Sequence, residues 1–275
     1  MLYRGMDRAA LDVGYNNTNA VGLEVVERYR ASWRTRSDAL RAARKPEMDL
    51  KYGAGARERL DFYNSGTPKA PTAMFIHGGY WQMNDKEPSH YLAAGPLAHG
   101  INVAIVEYTL APAARLDQIC AEIRRSVDWL LANLARLGGD PDRLYVTGHS
   151  AGGHLTSIAM GNPRLAGGIA ISGIFDLEPI RLNYLNEKLQ LDVAEAERNS
   201  TLKHLPKQAG RLTVAVGANE LPELVRQSKD YATAWTASGL AGNYLPLAGH
   251  DHFTILEELA APDGKLTQAL RQLIG

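Results

Sequence analysis

Gly148-His149-Ser150-Ala151-Gly152 sets a serine between glycines in a G-x-S-x-G pattern. A serine hydroxyl is a poor nucleophile at neutral pH and needs a base within hydrogen-bond reach. The pattern serves chemistry when a strand enters it and a helix leaves it. The sharp turn then exposes the hydroxyl at a helix N-terminus, where free N–H groups and the dipole favour developing negative charge. Leu144–Thr147 reads as that strand, and the small residues Ala151, Gly152 and Gly153 open the helix. Ser150 is therefore the candidate nucleophile, against the plainer reading of a glycine-rich helix cap.

The base and its orienting acid are sought downstream, because in such a sheet the chain order is serine, acid, histidine. Gly249-His250-Asp251-His252-Phe253 follows the last apolar run, Asn243–Leu247, and a loop histidine there can reach back to Ser150. Spacing alone does not choose between His250 and His252. The acid belongs on the loop after Leu212–Val216, where Glu220 is the first carboxylate met. It would hold the imidazole tautomer and stabilise the imidazolium. Glu223 and Asp230 fall on the following helix, and Asp176 follows an earlier strand. His149 and His154 lie five apart, which is not the H-E-x-x-H spacing of a metal site, so a metal is not expected.

His77-Gly78-Gly79-Tyr80-Trp81 follows the run Thr72–Ile76. Glycines there let the backbone approach a substrate carbonyl, with N–H groups pointing at its oxygen. An oxyanion hole would combine the N–H of Gly78 or Gly79 with that of Ala151, the residue after the nucleophile. Tyr80 and Trp81 would add an aromatic wall for an aryl substrate, with core packing as the alternative.

Positioning these groups requires a sheet. Further apolar runs at Arg59–Tyr63, Asn102–Val106 and Gly167–Ile171 join those above as strands. Ser89–His99, Asp117–Leu137, Ala151–Met160, Pro222–Ser238 and Asp263–Ile274 read as helices between them. Continuous rather than alternating apolar runs indicate a mostly parallel, doubly wound α/β sheet with helices on both faces. Residues 1–50 read as a helical extension, with Val21, Val25, Tyr29 and Trp33 at helical spacing, and Leu177–Pro206 as a cap insertion. Either could form the lid. The whole, 1–275, is expected to be one domain.

Thirty basic and thirty acidic side chains cancel, with no basic stripe, so a nucleic-acid partner is not expected. No apolar run approaches the ~18 residues of a membrane span, and Met1–Val13 lacks a leader-like apolar core, so a cytoplasmic protein is expected. The single cysteine, Cys120, forms no intramolecular disulfide and reads as a buried small side chain. The expected partner is a small ester or amide; a homodimer stays open. The glycines supply no G-x-G-x-x-G, so a dinucleotide fold is disfavoured.

His77-Gly78-Gly79, followed by Glu107-Tyr108-Thr109-Leu110-Ala111-Pro112, resembles the hormone-sensitive-lipase-like branch of α/β-hydrolases. Within that branch the stretch His77 to Gln82 is similar to kynurenine formamidases, also called arylformamidases. So are Gly217 to Ser228 and Asp251-His252-Phe253. The likeness runs from about Arg59 onward. It implies an α/β-hydrolase fold and cofactor-free, two-step acyl transfer on N-formyl-kynurenine or a similar aryl formamide. A carboxylesterase for small acyl or aryl esters is the alternative within the same mechanism. In that family the histidine of the D-H-F segment is the base, which points to His252. Its members usually carry aspartate where this chain has Glu220. A hydrolase fold kept for binding alone would lack a triad member or a hole glycine, and here each has a candidate.

Overall fold

Short, unbroken apolar runs can be buried only if helices cover the sheet on both sides. The computed structural model describes all 275 residues and has that arrangement. The strands are β1 (Glu47–Lys51), β2 (Arg59–Tyr63), β3 (Ala70–Ile76), β4 (Asn102–Val106), β5 (Gly139–His149), β6 (Gly167–Ile171), β7 (Arg211–Gly217) and β8 (Gly242–Leu247). They form one sheet in the order β1-β2-β4-β3-β5-β6-β7-β8. β2 pairs antiparallel with β1 and β4, and all remaining pairs are parallel.

Side chains of each central strand alternate between two cores. In β3, Met74 and Ile76 join a core with the helices Leu116–Asn133 and Pro222–Ala237, through Ile119, Ile123, Leu224 and Tyr231. Ala73 and Phe75 face the opposite core, with Leu92 and with Leu266 and Leu270 of the C-terminal helix Lys265–Ile274. Cys120 is fully buried in the first core, and burial pushes its thiol up to about 12.

The expected strands are present, and the structure adds β1. That strand is almost wholly exposed, carries Glu47, Asp49 and Lys51, and pairs with β2 across a register shift between Glu47 and Leu50. It is a short, charged, irregular edge, which discourages pairing with another chain and leaves no apolar pattern to read. The expected helix Ser89–His99 is instead a 3-10 helix, Glu87–Ala93, continued by one α-turn, Ala94–Leu97. Pro88 and Pro96 withhold backbone donors there. Leu177–Pro206 holds three short helices, Glu178–Arg181, Asn186–Leu189 and Val193–Asn199. No helix is long and apolar enough to cross a membrane.

From β3 the chain crosses to β4 on one side and returns to β5 on the other, so the loops leaving β3 and β5 open a crevice at the strand ends. Such a reversal point is where open α/β sheets bind ligands. Ile76 and Gly148 are register partners, so the two segments expected to hold the oxyanion hole and the nucleophile leave the sheet side by side.

On β2, Asp61 is fully buried, 2.7 Å from Lys86 Nζ and 3.0 Å from His90 Nε2, and it accepts the Asp49 N–H at 2.6 Å. Burial would raise its carboxyl, but hydrogen bonding to His90 and Lys86 holds it below the ordinary carboxylate range. A depressed folded-state pKa gives stability that is present above the unfolded value and lost as pH falls through the folded one. Asp61→Asn takes away the one fully buried carboxylate on Lys86, leaving it to the more exposed Asp49 and Glu87 at 3.2 and 3.0 Å, and is expected to cost about 1–3 kcal/mol near neutral pH. In urea unfolding that difference should shrink below about pH 4, the unfolded carboxylate range. Equal stability at neutral pH would contradict it.

Candidate active site

Ser150 sits at the bend between β5 and the helix Ala151–Ala159, with φ 58° and ψ −118°. For a residue with a Cβ this is strained backbone, costing of order 1–3 kcal/mol and kept only where the surroundings over-determine it. Here they do. The Ser150 N–H donates to Ile171 O at 2.8 Å, and its carbonyl accepts from Gly153 and His154 N–H at 2.9 and 3.1 Å. The glycines around it make room. A Cβ on Gly148 would lie 2.3 Å from Gly152 O, and one on Gly152 would lie 2.0 Å from Ile76 O. Ala151 is the first residue of the helix, where an N–H has no intrahelical acceptor.

The loop after β3 is strained as well. Gly79, Tyr80 and Trp81 have φ of 119°, 49° and 58° in succession. The loop is held by Gln82 and Met83 N–H on Gly79 O at 3.0 and 3.1 Å, and by Asn84 Nδ2 on Gly78 O at 3.1 Å. A Cβ on Gly78 would stand 2.8 Å from His149 O and 3.0 Å from Ser150 Cβ, so this backbone abuts the serine. The N–H groups of Gly78 and Gly79 donate to no acceptor in the protein.

His252 Nδ1 lies 2.6 Å from Glu220 Oε2, and both side chains are buried. Glu220 Oε1 accepts from Ser172 Oγ at 2.5 Å and from Gly217 N–H at 2.7 Å. Three donors thus hold one carboxylate, which fixes the imidazole that leans on it. Asp251 orders the same loop, accepting the N–H groups of Phe253 and Thr254 at 2.8 Å each. His250 turns away and pairs with Glu258 at 3.0 Å. The rival acids are engaged elsewhere: Glu223 and Asp230 with Arg226, and Asp176 with the Tyr3 hydroxyl.

Ser150, His252, Gly78, Gly79 and Tyr80 line one cavity of about 720 Å³. Its outer wall is the N-terminal extension, including Asn17, Arg30, Trp33 and Arg34, whereas Leu177–Pro206 contributes Tyr184. Between the two segments that sequence left open, the extension forms most of the cover. It is bolted down: Trp33 Nε1 donates to Glu257 Oε1 at 3.0 Å, Arg36 pairs with both oxygens of Glu257, and Ser37 Oγ donates to Pro88 O at 2.9 Å. Tyr80 is anchored to it too, donating its hydroxyl to Tyr15 O at 2.5 Å and accepting from Asn17 Nδ2 at 3.0 Å.

The expectation for Trp81 needs correcting. Its side chain is fully buried, edge-on to His154 at 5.1 Å, and does not reach the cavity. The turn of backbone at Tyr80 and Trp81 sends neighbouring rings to different places. Besides Tyr80, the aromatic rings lining the cavity are those of Trp33, Phe75, Tyr91, Tyr184 and Phe253. Trp33 was visible only as part of a helical stripe. Ser172, tied to Glu220, left no signal in sequence. His149 and His154 are engaged by main-chain oxygens of His252 and Asn199 at 2.7 and 2.8 Å.

Residues 60–165 match the BD-FAE family model. The chain is 32% identical over 267 residues to a kynurenine formamidase of Danio rerio, covering 92% of this chain and 90% of that protein. It is 33% identical to a kynurenine formamidase of Salmo salar, with the same coverage. Among solved structures, a candidate thioesterase from Silicibacter sp. tm1040 superposes with a TM-score of 0.85 at 27% identity, over 95% of this chain and 98% of that one. An esterase from Pyrobaculum calidifontis superposes at 0.72 and 17% identity, a likeness of fold.

The crowding at Gly152 is between backbone atoms and cannot be relieved by a rotamer. Gly152→Ala should therefore destabilise the protein by at least about 3 kcal/mol in denaturant unfolding. Gly161→Ala, whose Cβ would come no nearer than 3.3 Å to Ile158 O, should change stability by under about 1 kcal/mol. Similar effects of the two would contradict the close approach.

Proposed function

The chain belongs to the kynurenine formamidase family of α/β-hydrolases, and from that premise we propose that it hydrolyses aryl formamides such as N-formyl-kynurenine through an acyl-enzyme on Ser150. The observation that carries the reading is the Glu220–His252 contact at 2.6 Å, on an imidazole that lines the same cavity as Ser150 and two unpaired glycine amides.

In this scheme His252 Nε2 takes the Ser150 proton as Oγ attacks the formyl carbon. Glu220 holds the proton on Nδ1 and balances the charge of the imidazolium. The oxyanion is stabilised by N–H groups of Gly78 or Gly79 and of Ala151, each worth on the order of 3 kcal/mol in the transition state. His252 then protonates the amine nitrogen, the C–N bond breaks, and water repeats the cycle on the formyl-enzyme. The longer reach of Glu220, where relatives usually have aspartate, is accommodated by Ser172 and Gly217, which grip its other oxygen. Tyr80, Trp33 and Phe253 give the cavity aromatic surface for an aryl leaving group.

Esterase action on small aryl esters is the second reading, supported by the shared machinery and by the esterase fold likeness. The deciding experiment compares kcat/KM for N-formyl-kynurenine with a panel of short-chain aryl esters. A clear preference for the formamide is expected, and a preference for esters would reject the formamidase reading. Ser150→Ala and His252→Ala should each lower kcat by about 10⁴-fold or more, whereas His250→Ala should change it by less than about threefold because that side chain pairs with Glu258. Retained turnover in Ser150→Ala, or an inverted histidine ranking, would refute the assignment.

A further inference from the structure

His149, which precedes Ser150 in the turn, has no part in the scheme above, yet its side chain lines the cavity and is buried. Its ring lies against that of His252, with centroids 4.5 Å apart and planes tilted by 45°. Nε2 is 2.7 Å from the main-chain oxygen of His252. A carbonyl oxygen can only accept, so Nε2 carries the hydrogen and the neutral ring keeps its lone pair on Nδ1. Nδ1 has no hydrogen-bond partner in the protein and is not sealed from the cavity. A Cβ on Gly78 would stand 3.3 Å from it. A bare acceptor therefore sits beside the glycine loop, on a ring that packs against the imidazole proposed to protonate the leaving group. Burial, and then the neighbouring His252, hold the His149 imidazole well below the usual histidine range, so it remains an acceptor when His252 is protonated.

We propose that His149 Nδ1 accepts the N–H of the scissile formamide, making His149 a specificity-determining residue that favours amide over ester cleavage. The inference rests on the formamidase reading and deepens it.

The chemistry requires such a group in one case and not in the other. When Ser150 Oγ adds to the formyl carbon, the nitrogen keeps its hydrogen and gains a full lone pair. Orbital alignment sets that lone pair opposite the new C–O bond, away from His252. The nitrogen must invert before the proton on His252 Nε2 can reach it, and inversion swings the N–H to a new direction. An acceptor waiting there stabilises the inverted transition state without binding the ground state as well, which is how an interaction raises rate. The proton then passes from His252 to nitrogen, the C–N bond breaks, and the amine departs. His149 neither gives nor takes a proton. The leaving oxygen of an ester has two lone pairs and no hydrogen, so it needs no such partner.

The test uses 4-nitroformanilide, N-methyl-4-nitroformanilide and 4-nitrophenyl acetate with the intact protein. Wild-type enzyme that cleaves the ester but neither 4-nitroformanilide nor N-formyl-kynurenine would reject the formamidase reading itself. Given formamide turnover, His149→Phe keeps an aromatic ring but removes both nitrogens. Its kcat/KM should fall about tenfold to a hundredfold further for 4-nitroformanilide than for the ester. His149→Gln, which offers both a donor and an acceptor, should recover most of that ratio. Equal losses on both substrates would mean that His149 only positions His252, and would overturn the proposal. The N-methyl compound gives a readout independent of any variant's folding. Wild-type enzyme should disfavour it by about tenfold or more for want of the N–H, and equal rates on the two formanilides would also overturn the proposal.

Discussion

Everything at the strand ends depends on how closely two stretches of backbone approach. The helix after the nucleophile turn passes so near the end of β3 that no side-chain atom fits at Gly152, whose Cβ would lie 2.0 Å from Ile76 O. Parallel pairing of β3 with β5 puts Ile76 level with Gly148, and each strand then gives up its chain to a strained loop. Strain at Ser150 on one side, and at Gly79 to Trp81 on the other, is what aims a hydroxyl and two amides into the same space. Neither loop would keep its shape alone. The Ser150 N–H leans on Ile171 of β6, and the glycine loop leans on Asn84. Preorganisation of this kind is costly in backbone energy and is repaid by packing in the two cores beneath.

The cavity is completed from a different part of the chain. Residues of the N-terminal extension supply its outer wall and are pinned by Trp33, Arg36 and Ser37 to the elements around Glu257 and Pro88. Tyr15 ties the same extension to Glu223 and Gln227 on the far side, at 2.9 and 2.8 Å. These bonds hold the cover against the rest of the domain from both sides. The rim it presents carries Arg30 and Arg34 as well as Trp33, so the site offers charge at its mouth and aromatic surface further in.

What sequence revealed, and what it hid, follows from how each feature is encoded. Strands buried on both faces are written as unbroken apolar runs, and every strand of that kind was legible. β1 was not, because an exposed edge strand with Glu47, Asp49 and Lys51 carries no burial pattern. Ser150, Glu220 and His252 could be proposed because chain order restricts where each partner must lie, and the structure gathers Glu220 and His252 at contact distance. The choice of His252 over His250 needed family likeness, since only Asp251 separates them in the loop. Trp81 misled because adjacency in sequence says nothing about direction when φ turns positive at successive residues. His149 and Ser172 were illegible for a further reason. Their roles are set by contacts with His252 and Glu220, more than forty positions away in each case.

The most direct measurement is a crystal structure of the protein treated with a small aryl phosphonate, whose tetrahedral phosphorus mimics the first intermediate. The account predicts a covalent bond to Ser150 Oγ, one phosphonyl oxygen within hydrogen-bond distance of the amides of Ala151 and of Gly78 or Gly79, and His252 Nε2 facing the departing side. Phosphorus bonded to another residue, or an oxygen directed away from those amides, would contradict it.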